Sequence, residues 1–306
     1  MTPTYQQAVN QLHTILDWIR FAASEFERGQ LYYGHGTDNP WDEAVLLVTA
    51  SLHLPYDLPM ERTACRLIDD ERTLLAQLIE RRVNERIPVA YLINQAQFCG
   101  LPFYVDERVL VPRSPIAEML NKRISPWMDN MEPERILDLC CGSACIGIAA
   151  LKVFPEAQLD VADLSPDALD VADINIQNYG LYEQVAAIES DLFSSLQGPY
   201  DLILSNPPYV DLEDLADMPD EYHHEPAMGL GSGNDGLDIT RQILAQAIDY
   251  LSPQGVLVVE VGNSWVHLAE SFPEVPFNWV TFEHGGDGVF VFTYEELKQH
   301  LHHFRA

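Results

Sequence analysis

The chain has 306 residues, with 47 acidic and 17 basic side chains, a formal net charge of -30 and a pI near 4.4. Such an acidic surface repels phosphate backbones, which argues against tight binding to naked DNA or RNA. A hydrophobic content of 47% and a mean hydropathy of -0.08 are typical of a globular chain with a sizeable core, and they exclude extensive disorder.

The start of the chain and its cysteines indicate a cytoplasmic protein. Residues 1–15 have neither a basic start nor an apolar run, so we expect no signal peptide. No stretch approaches the ~18 uninterrupted apolar residues of a membrane span, so we expect no membrane partner. The cysteines lack Cys-x-x-Cys spacing, which fits a reducing compartment better than a disulfide framework. They are Cys65, Cys99, Cys140, Cys141 and Cys145.

The charge is unevenly distributed along the chain. Residues 1–125 hold 12 basic and 16 acidic side chains, a net of -4, and the remaining residues carry a net of -26. This asymmetry predicts two regions with different roles. We expect a small helical domain over 1–90, a hairpin and linker over 91–125, and a larger second domain over 126–306.

The first region has the periodicity of helices. Residues 5–28 place apolar side chains at helical spacing, which predicts one amphipathic helix. A second helix is predicted to begin with Asn39 as its cap and Pro40 at its first position. A third is predicted over 69–86, ending before Pro88. Its four arginines are interpreted as a solvated face. They are Arg72, Arg81, Arg82 and Arg86.

Beyond residue 91 short apolar runs predict a hairpin over 91–111, followed by a helix near 115–123. Strand and helix then alternate, which predicts a mostly parallel, doubly wound sheet. The predicted strands are 135–141, 159–164, 185–190, 200–205, 255–261, 278–282 and 289–294. Because 283–288 is too short for a parallel crossover, the last two strands are predicted to form an antiparallel hairpin at the sheet edge. This predicted architecture resembles that of class I S-adenosylmethionine-dependent methyltransferases.

Three predicted strand ends carry residues suited to a nucleoside ligand. After Asp138, Gly142 permits a tight turn and close approach of a ligand, and the next helix offers its free N–H groups. Asp163 ends the second strand, where a carboxylate can accept both ribose hydroxyls. Asp191 follows the third, where a carboxylate can accept an exocyclic amine of adenine. The alternative is that each acid only caps the next element.

The fourth predicted strand is followed by Asn206-Pro207-Pro208-Tyr209, at the end where open sheets bind ligands. Asn206 supplies a side-chain carbonyl acceptor, and Pro207 a backbone carbonyl on a rigid chain. Tyr209 supplies a flat face for a planar group. Together they suit an amide or amino nitrogen held against an electrophile. The alternative, a proline-rich turn leaving a strand, explains only Pro207 and Pro208.

The turn, the strand-end acids and the tetrapeptide resemble those of the glutamine N(5)-methyltransferase family that modifies translation proteins. The resemblance spans nearly the whole chain and implies S-adenosyl-L-methionine as cofactor, a catalytic second domain and a substrate-recognition domain before it. It implies cofactor binding by Asp138, Gly142, Ala144, Asp163, Asp191 and Asn206. It implies substrate binding by Asn206, Pro207, Pro208, Tyr209 and Arg113, with Asn206, Pro207 and Tyr209 catalytic. Ala144 departs from the glycine usual in the family's turn, and we expect a retained but weaker cofactor site.

The family has one branch that acts on peptide chain release factors and one that acts on large-subunit ribosomal protein L-three. Segments 33–43, 112–116, 221–226 and 233–237 are similar to the second branch. The resemblance therefore implies methyl transfer to a glutamine amide of that ribosomal protein, without direct nucleic-acid binding. Release-factor methylation and amino-methylation of a nucleic-acid base are the alternatives, because the tetrapeptide also serves enzymes of the latter kind. A non-catalytic assembly factor and a nicotinamide dehydrogenase fit less well, and the oligomeric state is left open.

Overall fold

The computed structural model describes residues 1–305, which form two compact units. The helical unit comprises Met1–Ala96 together with Pro219–His224. The sheet unit comprises Gln97–Met218 and the chain from Glu225 onward. The domain boundaries predicted at residues 90 and 125 stay a prediction. Within residues 1–305 no helix is long and apolar enough to cross a membrane.

The helical unit is built from five helices around one apolar core. Its helices are α1 (Pro3–Gln11), α2 (Ile15–Arg28), α3 (Pro40–Ser51), α4 (Asp69–Glu85) and α5 (Val89–Ile93). Short 3-10 turns span Met60–Ala64 and Asp220–His224. The core side chains that are fully buried include Trp18, Phe26, Leu47, Leu75 and Ile79. The predicted third helix is confirmed as α4. Asn39 caps α3 as predicted, because its side chain accepts from the Asp42 amide over 2.9 Å.

The single helix predicted over 5–28 is wrong, because the chain breaks between α1 and α2. Thr14 has an extended backbone and its hydroxyl accepts from the Asp17 amide over 3.1 Å, while the Asp17 carboxylate accepts from the Thr14 amide over 2.9 Å. This reciprocal capping box starts a new helix. Both helices bury apolar side chains in the same cluster, so the apolar spacing continues across the break and does not reveal it.

The solvated face predicted for the α4 arginines is wrong for Arg82. Its side chain is 1% exposed and donates to Glu43 over 2.9 Å and to the Tyr32 carbonyl over 2.9 Å. The same guanidinium donates to Glu221 over 3.3 Å, and Glu221 is also buried. A buried charge needs a partner of opposite sign, and Glu43 and Glu221 supply it from distant points of the chain.

The sheet unit contains a seven-stranded sheet and a separate hairpin. The hairpin pairs β1 (Ala96–Phe98) with β2 (Leu101–Phe103). The sheet comprises β3 (Arg135–Leu139), β4 (Gln158–Asp163), β5 (Val185–Glu189), β6 (Tyr200–Ser205), β7 (Leu251–Glu260), β8 (Asn278–Trp279) and β9 (Val289–Thr293). Its order is β5-β4-β3-β6-β7-β9-β8. Strands β3 to β7 are parallel, and β9 is antiparallel to both neighbours, which confirms the predicted edge hairpin.

Helices cover both faces of the sheet. They are α6 (Ile116–Asn121), α7 (Cys145–Val153), α8 (Pro166–Tyr179), α10 (Asp238–Gln246), α11 (Trp265–Ser271) and α12 (Tyr294–Phe304). A further short helix, α9 (Leu212–Ala216), follows β6 and has no buried residue. Successive strand residues point to opposite faces, so Ile136 packs in one apolar cluster while Leu137 and Leu139 pack in the other. Asp138 is the polar exception in this strand, and its burial bears on the site.

The predicted hairpin exists, but it is shorter than 91–111. Leu92 and Ile93 belong to α5, so their assignment to the hairpin is wrong. The turn consists of Cys99 and Gly100, with φ of 50° and 73°. Two left-handed residues give the twist that a tight hairpin needs, and glycine adopts it readily. A five-residue apolar run such as α5 cannot be assigned to helix or strand from periodicity alone.

Candidate active site

The carboxyl ends of the parallel strands β5, β4, β3, β6 and β7 form one edge of the sheet. Asp191 follows β5, Asp163 ends β4, the turn 140–144 follows β3, Asn206 follows β6 and Glu260 ends β7. These strands are neighbours in that order, so the residues predicted for the site lie along a single edge. Parallel sheets bind ligands at this edge.

The turn after β3 holds three left-handed residues, which explains why the strand ends at Leu139. Cys140, Gly142 and Ala144 have φ of 61°, 51° and 60°. A side chain at Gly142 would meet nothing within 4 Å, so open space lies in front of this backbone. Ala144 is fully buried in a conformation that favours glycine, and left-handed backbone costs an alanine about 1 kcal/mol. Several left-handed backbone conformations within one turn are typical of a functional segment.

Asp163 fixes the turn from the adjacent strand. One of its carboxylate oxygens accepts from the Gly142 amide and the other from the Ser165 amide, each over 2.9 Å. Burial raises the pKa of Asp163, and these amides counteract part of the rise. A carboxylate has lone pairs beyond two hydrogen bonds, so Asp163 retains acceptor capacity toward a ligand.

Asp138 is buried beneath the turn and contacts the first turn of α7. Its Oδ2 accepts from the Gly147 amide over 2.7 Å, and a side chain at Gly147 would lie 2.9 Å from the Asp138 Cβ. Burial raises the pKa of Asp138 to about 7, and the negative charge of Asp163 adds to the rise. Among residues 1–305 its Oδ1 has no hydrogen-bond partner. Because a side chain at Gly147 would crowd Asp138, glycine is needed there for the close approach of α7 to β3.

The Asn206-Pro207-Pro208-Tyr209 segment leaves the sheet at the predicted place. Pro207 is buried, and the other three side chains are half-buried. In the part of the chain that the structure describes, the Asn206 side-chain amide forms no hydrogen bond. Ser205, one residue earlier, donates its hydroxyl to the Leu139 carbonyl over 2.8 Å, which joins β6 to the end of β3. The Asn206 amide is thus placed at the sheet edge and can bond a ligand.

Two hydrogen bonds and two closely packed glycines fix the position of Tyr209. Its hydroxyl donates to Oε1 of Glu260 over 3.1 Å, and its carbonyl accepts from the Ser264 hydroxyl over 2.7 Å. A side chain at Gly262 would lie 2.4 Å from the Tyr209 ring, and one at Gly236 would lie 2.1 Å from its carbonyl oxygen. Both glycines therefore admit the tyrosine, and the ring has one defined orientation.

Glu260 is a site residue that the sequence analysis missed. It is buried at the end of β7, and its Oε2 accepts from the Ser114 hydroxyl over 2.5 Å. Burial raises the pKa of Glu260 to about 7, while the hydrogen bonds from Ser114 and Tyr209 and the positive charge of Arg113 act in the opposite direction. An acid at the end of the apolar run Leu257–Val259 was the available signal, because a buried strand tolerates a charge only with partners.

Arg113 lies in a bidentate ion pair rather than pointing freely toward a substrate. Its two terminal nitrogens donate to Glu225 over 2.6 and 2.8 Å, and the Val111 amide donates to the same carboxylate over 2.9 Å. Glu225 is buried and had no predicted role. Arg113 also lines an open cleft of about 580 Å³ between the 113–122 segment and the turn 283–286. Its substrate-binding role stays a prediction.

The thiols near the turn are packing groups. Cys141 and Cys145 are buried in the apolar cluster that covers one sheet face, and burial raises the pKa of both thiols. A raised pKa keeps a thiol protonated and unreactive at neutral pH. Across residues 1–305 no group of three or more His, Cys, Asp or Glu side chains is arranged to hold a metal ion.

Comparisons with known proteins bear on the fold and the family of this chain. A family model described as "Methyltransferase small domain" matches residues 121–218. The ribosomal protein uL3 glutamine methyltransferase of Francisella tularensis subsp. tularensis (strain SCHU S4 / Schu 4) is 45% identical, over 98% of this chain and 96% of its own. The protein of that name from Neisseria gonorrhoeae (strain ATCC 700825 / FA 1090) is 49% identical, over 96% of this chain and 98% of its own.

The solved structure of the hMettl16 catalytic domain in complex with MAT2A 3'UTR hairpin 6 has a TM-score of 0.52 and 14% identity. The match covers 74% of this chain and 82% of the hMettl16 chain. At this identity it shows a similar fold and nothing more. The predicted methyltransferase fold and the predicted family branch are both confirmed. With nearly full-length identity of 45% and 49% to two of its members, the chain belongs to the family of ribosomal protein uL3 glutamine methyltransferases.

Proposed function

We propose that this chain transfers a methyl group from S-adenosyl-L-methionine to the side-chain amide nitrogen of a glutamine in large-subunit ribosomal protein L3 (L-three). Family membership supports the substrate, and the position of Asn206 carries the chemistry. The Asn206 amide stands at the carboxyl edge of the sheet, beside the strained turn after β3, with no protein group bonded to it in residues 1–305. The product is N(5)-methylglutamine.

The turn fits the methionine end and the ribose of the cofactor. Open space in front of Gly142 would admit the methionine part against bare backbone, and Asp163 has acceptor capacity left for the ribose hydroxyls. Asp191 is exposed beyond β5 and would accept the adenine amine. Ala144 lies in the same turn, and Asp138 supports it from beneath by holding Gly147. When bound, the cofactor supplies an electrophilic methyl group on a sulfonium.

The residues of the tetrapeptide would position the substrate amide. The Asn206 side-chain oxygen and the Pro207 carbonyl accept the two N–H groups of the glutamine amide, and Tyr209 covers its planar face. With the cofactor bound, the glutamine nitrogen would form the new N–C bond to the methyl carbon, and the S–C bond would break with its electron pair left on sulfur. The nitrogen then loses a proton to solvent or to a nearby carbonyl, so no strong base is required. Positioning of this kind supplies several kcal/mol of the catalytic effect.

The helical unit is proposed to recognise the ribosomal protein, and the cleft beside Arg113 to admit the chain around the glutamine. Ribosomal proteins are basic and are made in the cytoplasm, where we place the reaction. The acidic surface of residues 126–306 is proposed to attract the substrate before RNA covers it. We propose no direct contact with nucleic acid, since that surface repels phosphates.

A methyl-transfer assay tests the proposal. The purified chain is incubated with tritiated cofactor and with free ribosomal protein L3, a peptide chain release factor, or stripped ribosomal RNA. We expect label in L3 and, by mass spectrometry, one L3 glutamine peptide that is heavier by a methyl group. Label in the release factor alone would assign the chain to the other branch. Label in RNA alone would overturn protein methylation.

A further inference from the structure

Ser114, Glu260 and Tyr209 form a chain of hydrogen-bonded side chains. It ends at Tyr209, whose ring is proposed to cover the glutamine amide. The Ser114 hydroxyl donates to Oε2 of Glu260 over 2.5 Å, and the Tyr209 hydroxyl donates to Oε1 over 3.1 Å. Glu260 is 4% exposed and comes directly after Val259, which pairs with Ser205 at the end of β6. The carboxylate is therefore level with the start of the Asn206-Pro207-Pro208-Tyr209 segment.

We propose that Glu260 is a positioning residue for methyl transfer, which fixes the Tyr209 ring through its hydroxyl and is itself fixed by Ser114. The inference rests on the proposed function, in which the ring face orients the planar glutamine amide. Transfer needs the amide nitrogen in line with the sulfonium methyl, so a tilted ring lowers the rate. Glu260 reaches the amide only through Tyr209.

The fold itself does not require a carboxylate at this place. An ion or acid buried in an apolar setting can often be replaced by a hydrophobic residue of similar volume without loss of stability. Both Glu260 oxygens nevertheless meet hydroxyls from two separate segments of the chain. Gly262 limits the Tyr209 ring on one side, and the bond from the hydroxyl to Glu260 limits its tilt. The arrangement specifies an orientation of the ring.

The test is a double-mutant cycle with Glu260→Leu and Tyr209→Phe, using tritiated cofactor and free ribosomal protein L3. Each single variant is expected to lower kcat about tenfold, which corresponds to the loss of one buried hydrogen bond. The double variant is expected to be no slower than either single variant, because both remove the same bond. Cofactor affinity, measured by calorimetry, is expected to stay unchanged.

Two variants separate positioning from a loss of folding. Glu260→Gln keeps an acceptor for Tyr209 and a donor for Ser114, and its kcat is expected within about threefold of wild type. Tyr200→Phe is the matched control, since the Tyr200 hydroxyl donates to Asp160 over 2.6 Å at the opposite end of β6. Its kcat is expected to equal that of wild type.

Losses that multiply to about a hundredfold in the double variant, or a Glu260→Leu variant with full kcat, would overturn the role of Glu260. Equal losses in Tyr200→Phe would show a general effect of removing buried hydroxyls and would also overturn it. A wild-type chain that leaves every glutamine unmethylated overturns the proposed function instead.

Discussion

The Arg82 guanidinium donates to Oε1 of Glu43 over 2.9 Å, and both side chains are almost completely buried in the helical unit. Burial raises the pKa of Glu43, and the charge of Arg82 opposes the rise. Glu221 accepts from the same arginine, so one cation serves two buried acids. Arg86 also donates to Glu221, over 3.4 Å. The cluster therefore contains two cations, Arg82 and Arg86, and the two acids.

Replacing this arginine is predicted to destabilise the helical unit. Arg82→Met leaves Glu43 and Glu221 short of a buried partner, so we expect the free energy of unfolding to fall by about 3–5 kcal/mol in urea titrations. Arg81→Met is the control, since Arg81 and Glu85 form a half-exposed pair on the same helix. That change should cost less than about 1 kcal/mol. Similar losses in both variants would contradict the buried-cluster interpretation.

Glu260 is predicted to make stability fall as pH rises. Its pKa lies near 7 in the folded chain, above the ordinary value near 4.5, so folding favours the protonated form. The stabilisation is fully present below pH 4.5 and is lost as pH rises through 7, a difference of about 3 kcal/mol. Ser114, Tyr209 and the charge of Arg113 face the group.

The pH experiment compares unfolding of wild type with Glu260→Gln between pH 4 and pH 9. The wild-type free energy should fall more steeply than that of the variant between about pH 5 and 7, and the two curves should run parallel at higher pH. Asp138, whose pKa is also near 7, contributes the same slope to both proteins and cancels in the comparison. Curves that are parallel throughout would show that Glu260 stays ionised.

Ala144→Gly is predicted to relieve strain in the turn after β3. Glycine adopts the φ of 60° without a steric penalty, and its greater unfolded-state entropy offsets part of the gain. We expect a net stabilisation of about 0.5–1 kcal/mol in urea titrations and tighter cofactor binding by calorimetry. Ala149→Gly, buried inside α7, should destabilise by about 1 kcal/mol. A loss of stability in Ala144→Gly would show that packing of the Ala144 methyl group contributes more than the relief of backbone strain.

Asn206→Ala is predicted to separate turnover from cofactor binding. Removing the acceptor that we propose to align the substrate amide should lower kcat about a hundredfold, as for comparable polar groups in other active sites. Cofactor affinity should change little. Asn178→Ala, on the exposed side of α8, is the control and should leave both quantities at their wild-type values. Full activity with collapsed cofactor affinity would contradict the role assigned to Asn206.

Charge attraction predicts that methylation of the basic ribosomal protein weakens with salt. We expect kcat/KM to fall several-fold as sodium chloride rises from low to physiological concentration and beyond, because exposed charges are screened. A short uncharged glutamine peptide is the control, and its rate should be insensitive to salt. If both substrates respond equally, the acidity of residues 126–306 plays no part in attraction.

The sequence predicts the sheet well because strand and helix alternate with clear caps, as at Ser165 before α8, whose hydroxyl accepts from the Ala168 amide. The sequence also places Asp163 and Asn206 at strand ends, because the local pattern of apolar residues is enough to locate the end of a strand. It does not reveal Arg82 as a buried residue, since Arg82 and its partner Glu221 are 139 residues apart. The hydrogen bond from the Ser114 hydroxyl to Glu260 cannot be predicted either, because a contact between distant residues leaves no local periodicity in the sequence.

The helical unit is discontinuous in sequence, since Pro219–His224 belongs to it although this segment follows β6. A chimera that exchanges only the first 96 residues between relatives would separate Arg82 from Glu221, its partner in a buried ion pair. A chimera that carries the whole helical unit of another family branch therefore needs two exchanges, one of residues 1–96 and one of Pro219–His224.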